Sequence, residues 1–517
     1  MNLTIFFLVF WMIEKVRLKR LMSKEQLNLK ILRKPNSPDF LNELDKAPLC
    51  LQLNDATHFF KILLQHFESG INTELGNKIL MCIANALIAG KFTETFISEN
   101  FVLALPFSQK KFSNLIFEIL RILLDQSMDF FDDDLVHQFE SLIPVDPNRS
   151  LIIIALYSKD FANLENPYPM INLIFQHSEE FQTPELVFNY VSLISYLYKT
   201  FLSFRQKYGK SCWSNLCLML NKFKDDTSLN IVYGGLCLIA DDKVKVRLPL
   251  DLMKKHIQNE ELQDRILSLC LYKVPDFDEE FVELLEETAK TNEKATLAII
   301  TACSKSLSNS ELIFYHLNDL FTNGGKLPTT DDTMRILFCL LKWQDLRERF
   351  SEVSELLNFL LMFVQDDNRA FKKSQRIQII SQFLTNIKID VTFVISMNKS
   401  GFLRELLATS KTNNDEVSDR SVLQIFEAIG PYAYVPEYLK VCDIVSREIM
   451  NDGRLSELAF HVAEIMCKHQ QCVNRMKEKK LVAFYEKNKN DKRFGYQAES
   501  FLALIGWNDQ SDGDDNY

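Results

Sequence analysis

Glycine and proline are scarce in this 517-residue chain, at 14 of each. An ordinary soluble sequence of this length carries roughly twice as many. The shortage excludes collagen-like and Pro/Gly-rich disordered chains. It argues against all-β folds, which need turn residues every 8–12 positions or so. It also argues against Gly-rich phosphate loops, which spend several glycines within a few residues. No CxxC pair, no HExxH and no GxSxG occurs anywhere in the chain. These absences leave no paired metal-ligand framework, no zincin helix and no nucleophile elbow.

Apolar residues make up 47% of the chain, and Phe alone numbers 40. The net charge of −10 disfavours a nucleic-acid binder, which would be basic. Base collects in residues 15–34 and again from Arg475 to Arg493. Acid collects at Asp132-Asp133-Asp134, from Asp276 to Glu287, and in the tail from Asp509 to Asp515. Such runs read as solvated helix faces and termini, or as a bipolar molecule whose basic end docks an acidic partner. Cysteines number eleven, and Cys82, Cys237, Cys270, Cys303 and Cys339 lie inside apolar runs. Buried, reduced thiols of a cytoplasmic protein fit that pattern. Cys467, His469 and Cys472 are three metal-ligand types in one stretch, but no second pair accompanies them. The first twelve residues are mostly apolar, and too short a run to span a bilayer, which takes about 20. They read as a buried first helix, as translation from a start upstream of Met12 or Met22, or as a membrane tether.

The clearest positive pattern is helix after helix. Phe59, Phe60, Leu63, Leu64 and Phe67 fall on one helical face, with Asn54-Asp55 before them and Gly70 after. Ser37-Pro38 reads as a helix start. Phe112, Leu115, Ile116, Ile119, Leu120 and Leu123 follow helical spacing, and Phe117, Ile122 and Leu124 widen that stripe until the helix is apolar on nearly every side. Such helices recur, centred near Ile83, Ile119, Leu156, Leu193, Leu236, Leu269, Ile299, Leu337, Ile380, Phe426, Val462 and Leu502. Their spacing averages about 38 residues, within the period of helical repeat arrays. A second, more amphipathic helix lies between successive centres, as at Phe281–Leu285 and Leu312–Phe321. The helices are expected to be short, about 10–18 residues each.

One stretch resembles the armadillo repeat. It runs Gly401-Phe402-Leu403, Leu406-Leu407, a polar loop through Asn413-Asn414-Asp415, then Val422, Ile425, Ala428 and Ile429. Met81-Cys82-Ile83-Ala84-Asn85-Ala86-Leu87 is similar to the third helix of such a unit. A narrower resemblance covers Leu27 to about Ile239. Lys46-Ala47-Pro48-Leu49-Cys50 with Leu53-Asn54-Asp55, Gly76 to Ala84, Leu105-Pro106-Phe107 through Lys110-Lys111-Phe112 to Leu123, Leu142-Ile143-Pro144, Asp146-Pro147 and Ile154 to Tyr157 carry it. These stretches resemble a non-catalytic, armadillo-like region found downstream of the catalytic domain in protist tyrosine-kinase-like (TKL) protein kinases. The resemblance implies a helical docking region. The catalytic signatures themselves are missing: there is no Gly-rich loop, no catalytic-loop aspartate with its asparagine, and Asp276-Phe277-Asp278 is not Asp-Phe-Gly. Gene loss of a kinase domain, a truncated reading frame and a stand-alone relative all fit.

The eight histidines are scattered, and His58 and His66 lie eight apart on one helix, too far to share a metal. Gly234-Gly235 inside an apolar helix points to a close helix contact and not to a phosphate cradle. Armadillo proteins that bind extended peptides use a ladder of asparagines; Asn85 is a candidate, but Leu193, Leu236, Leu269 and Ile299 stand in apolar or small surroundings without a repeated Asn. Trp343, beside Lys342 and Arg347, is the candidate exposed anchor among the four tryptophans. The sequence therefore predicts an all-α, right-handed armadillo/HEAT-like superhelical solenoid across residues 27–507, with a possible subdivision near 323–328. An N-terminal segment 1–26 and an acidic disordered tail 508–517 flank it. The expected role is a non-catalytic, cytoplasmic protein-interaction scaffold. It needs no cofactor or metal, binds protein or peptide and no nucleic acid, and no residue is assigned to a catalytic or binding site.

Overall fold

The computed structural model describes residues 27–88, 91–126, 130, 132–158, 164, 168–240, 246–322, 330–365, 371–413 and 415–506. The segments 1–26 and 507–517, and the joint expected near 323–328, lie outside them. The chain is 75% helical, with no strand among the described residues. It divides into two compact units between Leu252 and Met253.

The first unit runs through α1 (Leu29–Leu32), α2 (Phe40–Cys50), α3 (Leu53–Glu68), α4 (Thr73–Ile88), α5 (Thr93–Ser98), α6 (Ser113–Asp125), α7 (Asp133–Phe139), α8 (Pro147–Tyr157), α9 (Tyr168–Gln176), α10 (Pro184–Thr200), α11 (Leu202–Lys222) and α12 (Asp226–Ile239). Helices α2, α4, α6, α8, α10 and α12 pack side by side in that order and form one layer, called layer A. The intervening helices form a second layer, in which α1 packs on α3, α3 on α5, and α7 on α9.

The boundary falls inside α13 (Leu250–His256). Beyond it come α14 (Glu260–Tyr272), α15 (Glu279–Ala289), α16 (Glu293–Lys305), α17 (Leu307–Thr322), α18 (Thr330–Leu340), α19 (Gln344–Arg347), α20 (Leu356–Gln365) and α21 (Lys373–Leu384). The unit closes with α22 (Val391–Lys399), α23 (Phe402–Asn413), α24 (Glu416–Ile429), α25 (Tyr438–Met450), α26 (Ser456–Met466), α27 (Gln470–Glu478), α28 (Leu481–Lys487) and α29 (Gly495–Leu504). Here α14, α16 and α18 pack in sequence, and α21, α24, α26 and α29 do the same. Helices α17, α20 and α23 follow one another in the second layer.

The all-α helical-repeat architecture expected from the sequence is thus observed within each unit. The twelve predicted repeat centres, from Ile83 to Leu502, fall on twelve separate helices: α4, α6, α8, α10 and α12 of layer A in the first unit, and α14, α16, α18, α21, α24, α26 and α29 in the second. Side-chain hydrogen bonds report the same period. Arg149 Nη1 donates to Asn114 Oδ1 (2.9 Å), Gln126 Nε2 to the Leu87 carbonyl (2.9 Å), and Ser381 Oγ to Gln424 Oε1 (3.1 Å), across 35, 39 and 43 residues. The armadillo-like stretch is a three-helix group in which α22 packs on α23 and α23 on α24. Gly401, with φ +77°, makes the turn between α22 and α23.

Local chemistry sets where helices begin. Side chains of Asp146, Thr183, Asp225, Asn259, Asn292 and Asp415 cap α8, α10, α12, α14, α16 and α24, satisfying backbone N–H groups that no helical carbonyl can reach. Two expectations shift. The helix read from Ser37-Pro38 starts two residues later, at Phe40, and Pro48 lies inside it near its end. Helix α11 spans 21 residues and exceeds the expected length.

Lateral packing is tight where glycine allows it. A Cβ on Gly235 of α12 would sit 2.5 Å from Val191 Cγ1 of α10, so Gly235 of the Gly234-Gly235 pair does serve helix contact. Between α18 and α21 the layer is tied by a buried cation. Arg376 is fully buried, with Nη1 3.4 Å from Asp331 Oδ1 and 3.1 Å from the Phe363 carbonyl, and its guanidinium stands 4.7 Å from the centre of the Phe363 ring. It thereby joins the first turn of α18 to the last turns of α20. Removing one partner of such a pair strands a buried charge. Arg376→Leu is expected to lower stability by about 3–5 kcal/mol, read from the chemical denaturation midpoint. The double replacement Arg376→Leu/Asp331→Leu should recover most of that loss.

Candidate functional site

The residues singled out by chemistry are mostly spent on the fold. Trp343 is half-buried, and its indole N–H donates to the Cys303 carbonyl at 2.9 Å, closing the C-terminus of α16. Lys342 reaches the neighbouring Ser304 carbonyl and lies 5.3 Å from the centre of the Trp343 ring. Cations at a helix C-terminus meet unsatisfied carbonyls and the negative end of the dipole. Trp343 is therefore a joint between repeats and not a free anchor. Trp213 is likewise engaged, its indole N–H donating to the Arg247 carbonyl at 3.0 Å, 34 residues along the chain.

The acidic runs have local explanations too. Asp132 caps α7, with Asp133 and Asp134 in its first turn. Asp278 caps α15, with Glu279 and Glu280 following. Carboxylates there complement the positive helix end. Lys254 bonds to Asp278 (3.0 Å) and Glu280 (2.6 Å), and these contacts push its pKa up. In the basic C-terminal stretch, Arg475 makes a forked pair with Asp443 at 2.9 Å on both arms. Arg493 pairs with Asp452. Much of the charge that looked free in sequence is therefore matched.

Cys467, His469 and Cys472 sit around the junction of α26 and α27. The Cys442 thiol approaches the Cys472 carbonyl and Met466 Sδ, each at 3.8 Å. The His469 ring lies 5.2 Å from Tyr434 and 5.7 Å from Tyr438, and burial lowers its pKa. Among the described residues, no three His, Cys, Asp or Glu side chains are placed to hold a metal ion. All eleven cysteines are unpaired thiols.

The layer A helices present another surface. Helices α4, α6, α8 and α10 each have a layer A neighbour on either side, and a stripe along one face of each layer A helix stays open. On α4 that face holds Lys78, Met81, Asn85 and Ile88. On α6 it holds Glu118, Arg121 and Asp125. On α8 it carries Leu156, on α10 Phe188, and on α12 Leu238. Met81, Ile88, Leu156, Phe188 and Leu238 are 42–58% exposed, although the same helices bury nearly all their other large apolar side chains. Asn85 stands in this row, whereas Leu193, Leu236, Leu269 and Ile299 are core. No asparagine ladder continues from it. Sequence reading missed the apolar row because each member sits inside a stripe that already looked hydrophobic on every side. Only the lateral packing shows which few positions stay uncovered.

No protein-family model matches the chain, and no curated protein is similar to it. Solved structures with a similar helix arrangement include one from work on a phosphorylation switch controlling the interaction between cadherin and beta-catenin. It has 11% identity and a TM-score of 0.37, covering 93% of this chain and 99% of that one. UNC-45 from Drosophila melanogaster has 10% identity and a TM-score of 0.31, covering 92% and 76%. A Kap95p–RanGDP structure has 11% identity and a TM-score of 0.31, covering 94% and 67%. Similarity at this level assigns neither family nor activity, and the repeat architecture stands on the packing described above.

Burial sets thiol reactivity as well. It pushes Cys212, Cys217 and Cys467 up to about 12 and raises Cys82 and Cys303 well above the usual thiol range. A raised pKa depletes the reactive thiolate. With a thiol reagent at pH 8, the half-buried Cys50 and Cys237 are expected to label first. Cys82, Cys303 and Cys442 should label only on unfolding. Mass-spectrometric mapping checks the order, and early labelling of Cys303 would contradict it.

Proposed function

We propose that this protein is a non-catalytic interaction scaffold of the cytoplasm that binds other proteins through the open face of layer A in its first unit. The observation that carries this reading is the row of exposed Met81, Ile88, Leu156, Phe188 and Leu238 on helices that otherwise bury their apolar residues. Large uncovered apolar side chains are costly to leave in water, and gathered on one face they mark interaction sites. The helices that present them are held by lateral packing within the layer. A partner therefore meets a preformed surface and little ordering entropy is lost on binding.

A narrower form of the reading is a docking region associated with a protein kinase. The resemblance of Leu27–Ile239 to a region found beside kinase catalytic domains supports it. That stretch ends just short of Leu252, where the first compact unit also ends. Among the described residues no helix is long and apolar enough to cross a membrane. The tether reading of residues 1–12 concerns residues outside the described part.

Full-length chain carrying Met81→Ser, Phe188→Ser and Leu238→Ser tests the scaffold reading. Each position is exposed, so the melting temperature should stay within a few degrees of the parent. Partners captured by the parent chain should be lost or weakened at least tenfold. Unchanged capture by the triple variant, or turnover of a nucleotide by the purified chain, would overturn the assignment.

A further inference from the structure

His58 and His66, too far apart to share a metal, do share a cleft. Helix α3 lines it with His58, Lys61, Ile62, Gln65 and His66, and Arg33 closes it from the end of α1. Those five α3 positions are spaced i, i+3, i+4, i+7 and i+8, so they form one helical face. His66 sets the geometry. Its ring is buried, Nε2 is 2.8 Å from the Leu32 carbonyl, and the ring packs edge-on to Phe40 at 5.7 Å. That bond fastens the last turn of α1 to α3 and brings Arg33, the next residue, over the same face as Lys61.

The charge lining this cleft is of one sign. Its lining holds two permanent cations and two imidazoles, and no carboxylate. Among the described residues, Arg33, His58 and Lys61 have no ion-pair or hydrogen-bond partner. Other cations do meet acids, as Lys254 meets Asp278 and Glu280, and Arg475 meets Asp443. Arg33, His58, Lys61 and Gln65 are all exposed, so their heads are free to turn onto a ligand.

We propose that this cleft is a phosphate-recognition site for a phosphorylated serine or threonine on a protein partner. A phosphate monoester carries about −1.5 to −2 charge at pH 7 and offers three strong acceptor oxygens. One lysine would neutralise a carboxylate. An arginine fork, a lysine, an exposed imidazole and a glutamine amide together match a dianion with several acceptors. The cleft measures about 510 Å³, far more than a bare phosphate fills, and Ile62 gives its floor an apolar contact. That room suits the side chain carrying the phosphate together with the residues beside it. The site lies on the second layer, away from the open face of layer A, and does not depend on that face being a binding surface.

The test uses full-length protein and fluorescence anisotropy. The probes are a degenerate phosphoserine peptide library, its unphosphorylated twin, inorganic phosphate as competitor, and vesicles containing phosphatidylinositol phosphates. The phosphorylated library should bind at least tenfold tighter than its twin. Arg33→Ala/Lys61→Ala should lose at least tenfold, His58→Ala should lose less, and Lys487→Ala, on a helix of the second unit, should change nothing. Both cleft side chains are exposed, and circular dichroism should show both variants folded. Equal binding of the two libraries, or unchanged binding by the double variant, would overturn the proposal. So would competition by inorganic phosphate with no gain from the peptide carrier, or binding to the vesicles alone, which would make the cleft an anion or headgroup site.

Discussion

No hairpin in this chain can bury its own apolar face, and every other feature follows from that constraint. A helix such as α6, with Ile116, Phe117, Ile119, Leu120, Ile122 and Leu123 all buried, needs covering on more than one side. Its hairpin partner covers one. The remaining sides must be covered by the layer A helices before and after it, and those have the same need. Stacking is therefore self-propagating, and each added repeat buries the exposed flank of the last. The apolar content that reads as excess in any one helix is what a helix with two lateral neighbours requires.

Stacking in turn decides the fate of polar groups. Each repeat joint brings helix ends together, and helix ends carry unsatisfied N–H and C=O groups. Asparagine, aspartate and threonine caps take the N-termini. Trp343, Lys342 and Arg376 take carbonyls at C-termini about one repeat away or across the layer. Residue types that attract notice as possible anchors or charge patches are thus absorbed by the joints. Among the groups that remain unabsorbed are the uncovered apolar side chains on the first unit's layer A and the unmatched bases over α3.

The two surfaces differ in the physics they would use. The apolar row offers area and a rigid shape, which favour affinity without chemical selectivity. The cationic cleft offers charge at a defined point, which confers selectivity through electrostatic match. A scaffold with both could be occupied by one partner whose binding depends on its modification state. Neither surface places a nucleophile beside a base, and glycines such as Gly401 and Gly235 serve a helix joint and a close helix contact.

Repeat period and helix class were legible in the sequence because they depend on short-range spacing: apolar residues three and four apart, punctuated by Gly70 and Gly401. The twelve centres fell on twelve separate helices for that reason. The reading of Gly234-Gly235 as a contact was also local, since glycine inside an apolar helix has few other uses. Other features were decided only by tertiary structure. Whether Met81 or Cys82 faces water depends on where the neighbouring repeats lie, some 40 residues away. Whether Trp343 is an anchor or a joint depends on the carbonyl of Cys303. His58 and Arg33 are 25 residues apart in sequence, and share a cleft only because His66 fastens α3 to α1. A sequence specifies each helix through its own periodicity, but a surface is what remains after neighbours have packed, and that remainder is set by contacts one repeat distant.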